Sequence, residues 1–333
     1  MHRPWMNVLT SGMVLLAWVA SASGQTPLAR YECTRIVMGV AARVVFFAQD
    51  EAAARQAERA VYARLNHLDA VMSDYRKDSE LMLLCSREAG VWHEVSDDLC
   101  TVLWWAKDLA DLSSGAFDPT VGPTVRLWRA ARQSGEIPDA NELEAARQVT
   151  GHELMEVDVA TRRVRLAAAG MSLDLGGIGK GFAADEALRT LAELGIASAL
   201  IDLGGDITVS HPPPGEAGWR VRVEAGSTDA IELIVAHAAV ATSGDREQFV
   251  IIAGERFSHI IDPRDGHALT HNAATTVIAR SGTLADALAS AACVLAASGD
   301  EQTLASLSAR FDEAWMRVTA HGRSAEFGTL YER

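Results

Sequence analysis

The chain has 333 residues, 49% hydrophobic and 22% charged, and 30 Lys+Arg against 44 Asp+Glu give a formal net charge of −14. Such a composition builds a large folded core and excludes a disordered chain, a collagen-like chain and a polytopic membrane protein. The acidic balance repels phosphate backbones, so no nucleic-acid partner is expected. A negatively charged nucleotide would need a local trap: a metal ion, a backbone nest or a helix N-terminus.

The first segment reads as a targeting signal. His2 and Arg3 give a positive start, Met13 to Ala20 is an unbroken apolar run, and Ala20-Ser21-Ala22 places small residues at cleavage spacing. The run is shorter than the about 20 apolar residues a membrane span needs. Residues 1–22 are therefore expected to be a cleaved signal peptide. The mature chain, 23–333, would be periplasmic and without stable membrane insertion. Cys33, Cys85, Cys100 and Cys293 share no CxxC spacing. An oxidising compartment permits a disulfide, for which Cys85 and Cys100 are the closest pair in sequence.

In chain order, Ile36–Ala48 predicts a strand, and Asp50 opens a long helix with Ala57, Val61, Leu65, Leu68 and Met72 on one face. Ser96 caps a second helix carrying Leu99, Leu103, Ala106 and Leu109. A turn-rich loop, Ser113–Pro123, precedes a short helix ending near Arg132, and Asp139 caps another. Val164–Leu175 predicts a strand, and Lys180–Leu194 a helix closed by Gly195. Strands follow at Ser198–Leu203, Trp219–Glu224, Ile231–Val235, Phe249–Ile252 and Thr275–Ala279. Thr283–Ser298 is an Ala-rich helix stopped by Gly299, and Ala314–Thr319 a last strand. Runs of strands with interposed helices argue for an α+β fold with largely antiparallel pairing. Length allows a boundary near 133–150, though no Pro/Ser-rich linker marks one.

The densest chemical feature is Leu173–Asp185, LDLGGIGKGFAAD. Its glycines let backbone come close to a ligand, and the helix that follows aims N–H groups at it. A P-loop is excluded because Gly181 follows Lys180, and a dinucleotide fingerprint because Phe182 stands where a small residue is needed. A tight strand-to-helix turn with no ligand explains the glycines equally well. Asp286 and Ser290, four apart, put two oxygens on one helix face and suit a hard cation such as Mg²⁺. Standing alone, however, Thr283 as N-cap with Asp286 in the first turn is the stronger account. His259 precedes an Asp262-Pro263-x-x-Gly266 turn. His267 and His271 imitate a zinc pair but lack a third ligand. Tyr75, in Ser73-Asp74-Tyr75-Arg76, offers a ring for stacking or simply an interfacial tyrosine, and the hydroxyls and backbone of Thr242-Ser243-Gly244 suit contact with a ligand, though an ordinary turn explains them at least as well.

The order of these features is more specific than any of them. Met38-Gly39, Ser73-x-Tyr75 with Ser79-Glu80, Gly115–Pro123 (GAFDPTVGP), LDLGGIGKGFAAD, Gly204-Gly205-Asp206, Thr242-Ser243-Gly244, His259–Pro263 and Ala285-Asp286-Ala287 run in sequence. The series resembles the FAD:protein FMN transferase (ApbE) family over about residues 36–300. That resemblance implies an α+β fold of mixed, largely antiparallel sheets with flanking helices and two related subdomains. It implies a Mg²⁺-dependent enzyme that splits FAD, joins FMN to a threonine of an acceptor protein of a membrane redox complex, and releases AMP. Met38, Tyr75, the backbone of Ala116, Phe117 and Asp118, together with Asp174, Lys180 and the His259–Ile260 turn, would line the FAD site. Asp286, Ser290 and a backbone carbonyl, that of Gly179, would hold Mg²⁺, with His259 and Asp286 as the catalytic candidates. Val40, Cys85, Gly179, Phe182 and Ser290 depart from the family's common residues, and Cys85, in place of an Asn, is the largest chemical change. A hydrolase producing FMN and AMP, or a periplasmic flavin-binding protein, would need the same site.

Overall fold

The β-branched run expected as one strand folds as a hairpin, β1 (Ala29–Val37) and β2 (Val40–Ala48), paired antiparallel from Val37↔Val40 to Ala29↔Ala48. Met38 and Gly39 form its turn with φ of 53° and 75°, the doubly positive geometry that matches strand twist. The computed structural model describes residues 27–223, 231–244, 248–311 and 313–328. The expected signal peptide and Glu224, at the end of one expected strand, lie outside them.

Helix α1 (Glu51–Met72) starts where the Asp50 carboxylate accepts the Ala53 N–H at 2.8 Å, and it buries the expected face against β1 and β2. A short helix, α2 (Glu80–Cys85), is capped by Ser79. After β3 (His93–Glu94), Ser96 caps α3 (Asp97–Leu112) as expected. α4 (Gly122–Ser134) carries Pro123 in its first turn and ends at left-handed Gly135, and α5 (Ala140–Arg147) is capped by Asp139. β4 (Met155–Asp158) and β5 (Arg163–Leu166) follow, and β5 pairs with both β3 and β4 in a small sheet. The strand expected from Val164 to Leu175 stops at Leu166. Beyond it the segment turns to the loop before α4: Ser172 bridges Val121, and the Asp174 N–H donates to the Pro119 carbonyl at 2.8 Å.

The chain continues through α6 (Gly179–Glu193), β6 (Ala199–Leu203), β7 (Asp206–Val209), β8 (Trp219–Val223), β9 (Ile231–Val235) and β10 (Ala238–Gly244). Two small hairpins follow, β11 (Phe249–Ile252) with β12 (Glu255–Ser258) and β13 (Ile261–Asp262) with β14 (His267–Ala268). β15 (Ala273–Ala279), α7 (Gly282–Ser298), α8 (Glu301–Arg310), β16 (Trp315–Ala320) and β17 (Arg323–Phe327) complete it.

Eight strands form one antiparallel sheet, β1-β2-β6-β7-β10-β15-β16-β17. Each half of it is two neighbouring strands, a helix-bearing insertion, then two more strands: β1-β2 and β6-β7 flank α1–α6, and β10-β15 and β16-β17 flank α7 and α8. α6 serves the first half and α7 the second, which gives the expected two related halves. Alternate residues divide between the faces: Val44 and Phe46 join the helical layer, whereas Val45 and Leu200 meet Trp219 of β8. The main core runs from Tyr31 to Val318 without a break at 133–150, and α4, α5 and β11–β14 build a satellite cluster around Trp128 and Phe257. No helix among the described residues is long and apolar enough to cross a membrane.

Candidate active site

The site forms where the N-terminal turns of α6 and α7 pass each other. Gly181 and Gly282 meet backbone to backbone. A Cβ on Gly181 would overlap the Gly282 carbonyl, and one on Gly282 would lie 2.5 Å from the Gly181 oxygen. Glycine is required here for close approach. With the helices this near, each supplies the other's cap. Asp185 of α6 accepts the Gly282 and Thr283 N–H groups at 2.7 and 2.9 Å, and Asp286 of α7 accepts the Gly181 N–H at 3.1 Å. The expected Thr283 cap is thereby corrected. Ser281 is the N-cap of α7, Thr283 donates its hydroxyl to Asp185, and Asp286 caps the neighbouring helix.

Asp286, only 5% exposed, also lies 4.0 Å from the Lys180 ammonium, which pairs closely with Asp206 at the start of β7. Asp206 is fixed in turn by the Thr242 N–H at 3.2 Å, so Thr242 sits in a strand rather than the expected turn. Burial pushes the Asp286 carboxyl up to about 6; Lys180 opposes the rise and Asp206 adds to it. For Lys180 burial works against the charge, but Asp286 and Asp206 outweigh it and hold the ammonium above its ordinary range.

Around this cluster the glycine turn is closely lined. A Cβ on Gly177 would stand 2.7 Å from the Ser290 hydroxyl and 3.3 Å from the Phe117 ring. One on Gly179 would stand 3.9 Å from the Met38 methyl. Met38, Phe117, Gly179, Lys180, Asp286 and Ser290 are thus gathered at one place.

Asp174 and Tyr75 meet through a residue that the sequence did not single out. Arg129 of α4 donates to Asp174 at 3.0 Å, pairs closely with Asp74, and lies over the Tyr75 ring with its guanidinium carbon 4.2 Å from the centroid. Burial and the neighbouring Asp74 raise the Asp174 pKa, while Arg129 opposes. Asp174 also accepts the Gly176 N–H at 2.7 Å, which shapes the glycine turn.

Other expected residues are committed internally. The Asp118 carboxylate accepts the Thr120 N–H and hydroxyl on one oxygen and the His152 N–H, at 2.8 Å, on the other, with the His152 ring 3.2 Å away. The Ala116 and Phe117 N–H groups both go to Ser113. In the β12–β13 turn, the His259 N–H donates to the Gln248 carbonyl and the Ile260 N–H to the Ser258 hydroxyl, so that turn offers a ligand side chains rather than these N–H groups. The His259 ring Nδ1 lies 3.1 Å from the same Gln248 carbonyl. No disulfide joins Cys33, Cys85, Cys100 or Cys293, so the pairing of Cys85 with Cys100 that the sequence left open is not formed. Cys85 accepts the Leu173 N–H, and Cys100 faces the Asp158 carbonyl. Asp206 enters the ordered sequence series only as part of Gly204-Gly205-Asp206, and neither Arg129 nor Asp185 has a spacing signal that would have marked it.

The oxygen donors fit a hard divalent cation. Asp286 is a buried carboxylate whose pKa is raised by burial against the opposing Lys180 charge, Ser290 is one helical turn further on the same face, and Gly179 lies in the facing first turn. One carboxylate, one hydroxyl and one carbonyl leave the remaining positions to substrate oxygens.

Fold and site together define an α+β protein with a glycine turn between two helix N-termini. The chain belongs to the ApbE family, whose model matches residues 38–312. It is 34% identical to the FAD:protein FMN transferase of Treponema pallidum over 302 residues, covering 84% of this chain and 83% of that one. The fold is similar to the ApbE protein of Thermotoga maritima, with a TM-score of 0.79 at 28% identity over 90% of this chain and 97% of that one. It is also similar to the apo flavinyl transferase ApbE of Pseudomonas stutzeri, with a TM-score of 0.76 at 26% identity over 97% and 96% of the two chains.

Proposed function

We propose that this chain is a Mg²⁺-dependent FAD:protein FMN transferase, which joins FMN from FAD to a threonine hydroxyl of an acceptor protein and releases AMP. The observation that carries the reading is the Lys180–Asp206–Asp286 cluster against the glycine turn. On an acidic protein it concentrates a fixed ammonium and a carboxylate suited to a cation where backbone can approach a diphosphate.

Each residue has a role its surroundings support. The glycines of residues 176–181 admit the diphosphate to the N-terminus of α6, where N–H groups and the helix dipole favour negative charge. Lys180, kept charged by its two carboxylates, faces that negative charge. Asp286, Ser290 and the Gly179 carbonyl would hold Mg²⁺, which when bound would supply Lewis-acid neutralisation of the diphosphate. The exposed Tyr75 ring gives the isoalloxazine a stacking face, and Met38 and Phe117 close the apolar side.

The threonine oxygen attacks the FMN phosphorus, the bond from that phosphorus to the bridging oxygen breaks, and AMP departs with the bridging oxygen. The threonine proton goes to His259. A carbonyl only accepts, so its contact with Gln248 places a proton on Nδ1 and makes Nε2 the basic nitrogen. Residues 1–22 export the chain to the periplasm, where an acceptor domain of a membrane redox complex is within reach.

The test is AMP release. With FAD, Mg²⁺ and a threonine-bearing acceptor, AMP should appear in proportion to acceptor and stop with EDTA. No AMP under any metal and acceptor condition would end the reading.

A further inference from the structure

Arg129 holds a position that the proposed chemistry leaves without a role. Its side chain is three-quarters buried, and its three partners come from two separate segments. Asp74 and Tyr75 follow α1, and Asp174 begins the glycine turn. Tyr75 itself is 77% exposed. An exposed tyrosine ordinarily samples several rotamers, and ordering it on binding costs entropy. Here a guanidinium covers one ring face while a planar fork anchors the same group to two carboxylates, leaving the other face toward solvent. Arginine is suited to this because its rigid fork and flat cation allow pairing and stacking together.

We propose that Arg129 is a positioning residue for flavin binding. It fixes the Tyr75 ring in register with the glycine turn, through Asp174, so that the stacking face and the diphosphate site are set at one spacing before substrate arrives. The gain is preorganisation. The ligand class is a planar aromatic ring joined to a diphosphate, and specificity for the ring would act through Tyr75 and Arg129 together. The proposal rests on the reading of this site as the FAD site.

The experiment measures binding without turnover, in EDTA, by quenching of flavin fluorescence for FAD and by calorimetry for AMP, which lacks the flavin ring. Arg129→Gln should weaken FAD binding about tenfold, a typical worth for an aromatic stacking contact, and reduce the quenching of the bound flavin. AMP affinity should not change. Tyr75→Ala should lose a similar amount, and adding Arg129→Gln to it should cost less than about twofold more, because Arg129 acts through the ring. Arg129→Lys keeps the charge without the fork and should not restore quenching; it also serves if the Gln variant melts early.

Three results would overturn the proposal: equal losses for FAD and AMP, full additivity with Tyr75→Ala, or full rescue by lysine. Each reduces Arg129 to a local ion pair while leaving the FAD site intact. A folded wild-type chain that binds AMP but gains nothing from the flavin ring would overturn the site reading itself, and this proposal with it.

Discussion

Asp185 and Asp286 cap each other's helices: Asp185 receives the first two N–H groups of α7, and Asp286 receives the Gly181 N–H of α6. The exchange places a carboxylate where the helix dipole favours it, and one member of the pair, Asp286, also faces Lys180 and Ser290's side of the glycine turn. A fold-stabilising position and the position proposed to hold the cation coincide there.

Asp286→Asn separates the two roles. The amide oxygen still accepts from Gly181, so stability should stay within about 1 kcal/mol. The charge a hard cation needs is lost, and FAD turnover should fall by roughly 100-fold or more. Asp185→Ala removes three hydrogen bonds at the same junction and should destabilise by about 1–3 kcal/mol, with activity following the folded fraction. Thermal melts and AMP release on the same samples distinguish the pair.

Gly181→Ala tests the close approach. Its Cβ would overlap the Gly282 carbonyl, a backbone atom that cannot step aside as a flexible side chain would. Overpacking of this kind costs about 1–3 kcal/mol or more, which denaturant titration would record as a lower midpoint.

Asp206→Asn leaves Lys180 with Asp286 as its charged partner. The ammonium should then be drawn toward the carboxylate intended for the cation. The expected outcome is a fall in kcat of about 10–100-fold, the usual effect of losing a group that orients the site, with a smaller change in KM. Steady-state kinetics at saturating Mg²⁺ would show it.

His152 gives the pH dependence its sign. The Asp118 hydrogen bond raises its pKa; burial opposes the rise, and the Asp118 and Asp111 charges add to it. A histidine whose folded pKa exceeds the unfolded value, near 6.5, stabilises fully below that value and loses the contribution as pH rises through the folded pKa. Melting temperature should therefore decline from pH 6 upward through that window, and His152→Asn should flatten this part of the profile. An unchanged slope in the variant would assign the decline elsewhere.

Sequence periodicity located α1 and α3 because each has a capped start and a clear apolar face, and the sequence marked α6 and α7 because a glycine closes each. It missed the β1–β2 turn because one of the two positive-φ residues is Met38, which carries no turn signature. It extended β5 too far because the apolar residues of 171–175 are buried by docking on the loop before α4 rather than by a ladder. Of the site residues named from ordered motifs, Met38, Phe117 and Ser290 lie beside Gly177 and Gly179, whereas Tyr75 meets Arg129 and Asp118 is committed to Thr120 and His152. Arg129 and Asp185 were not legible, since their partners lie tens of residues away and only the tertiary fold creates the contact.

The most direct measurement is tandem mass spectrometry of a threonine-bearing acceptor after incubation with the mature chain, FAD and Mg²⁺. The account predicts FMN in phosphoester linkage on one threonine, one AMP released per adduct, and no labelling when that threonine is changed to alanine. Free FMN and AMP in equal amounts, with no adduct on any tested acceptor, would contradict it and make the chain a hydrolase.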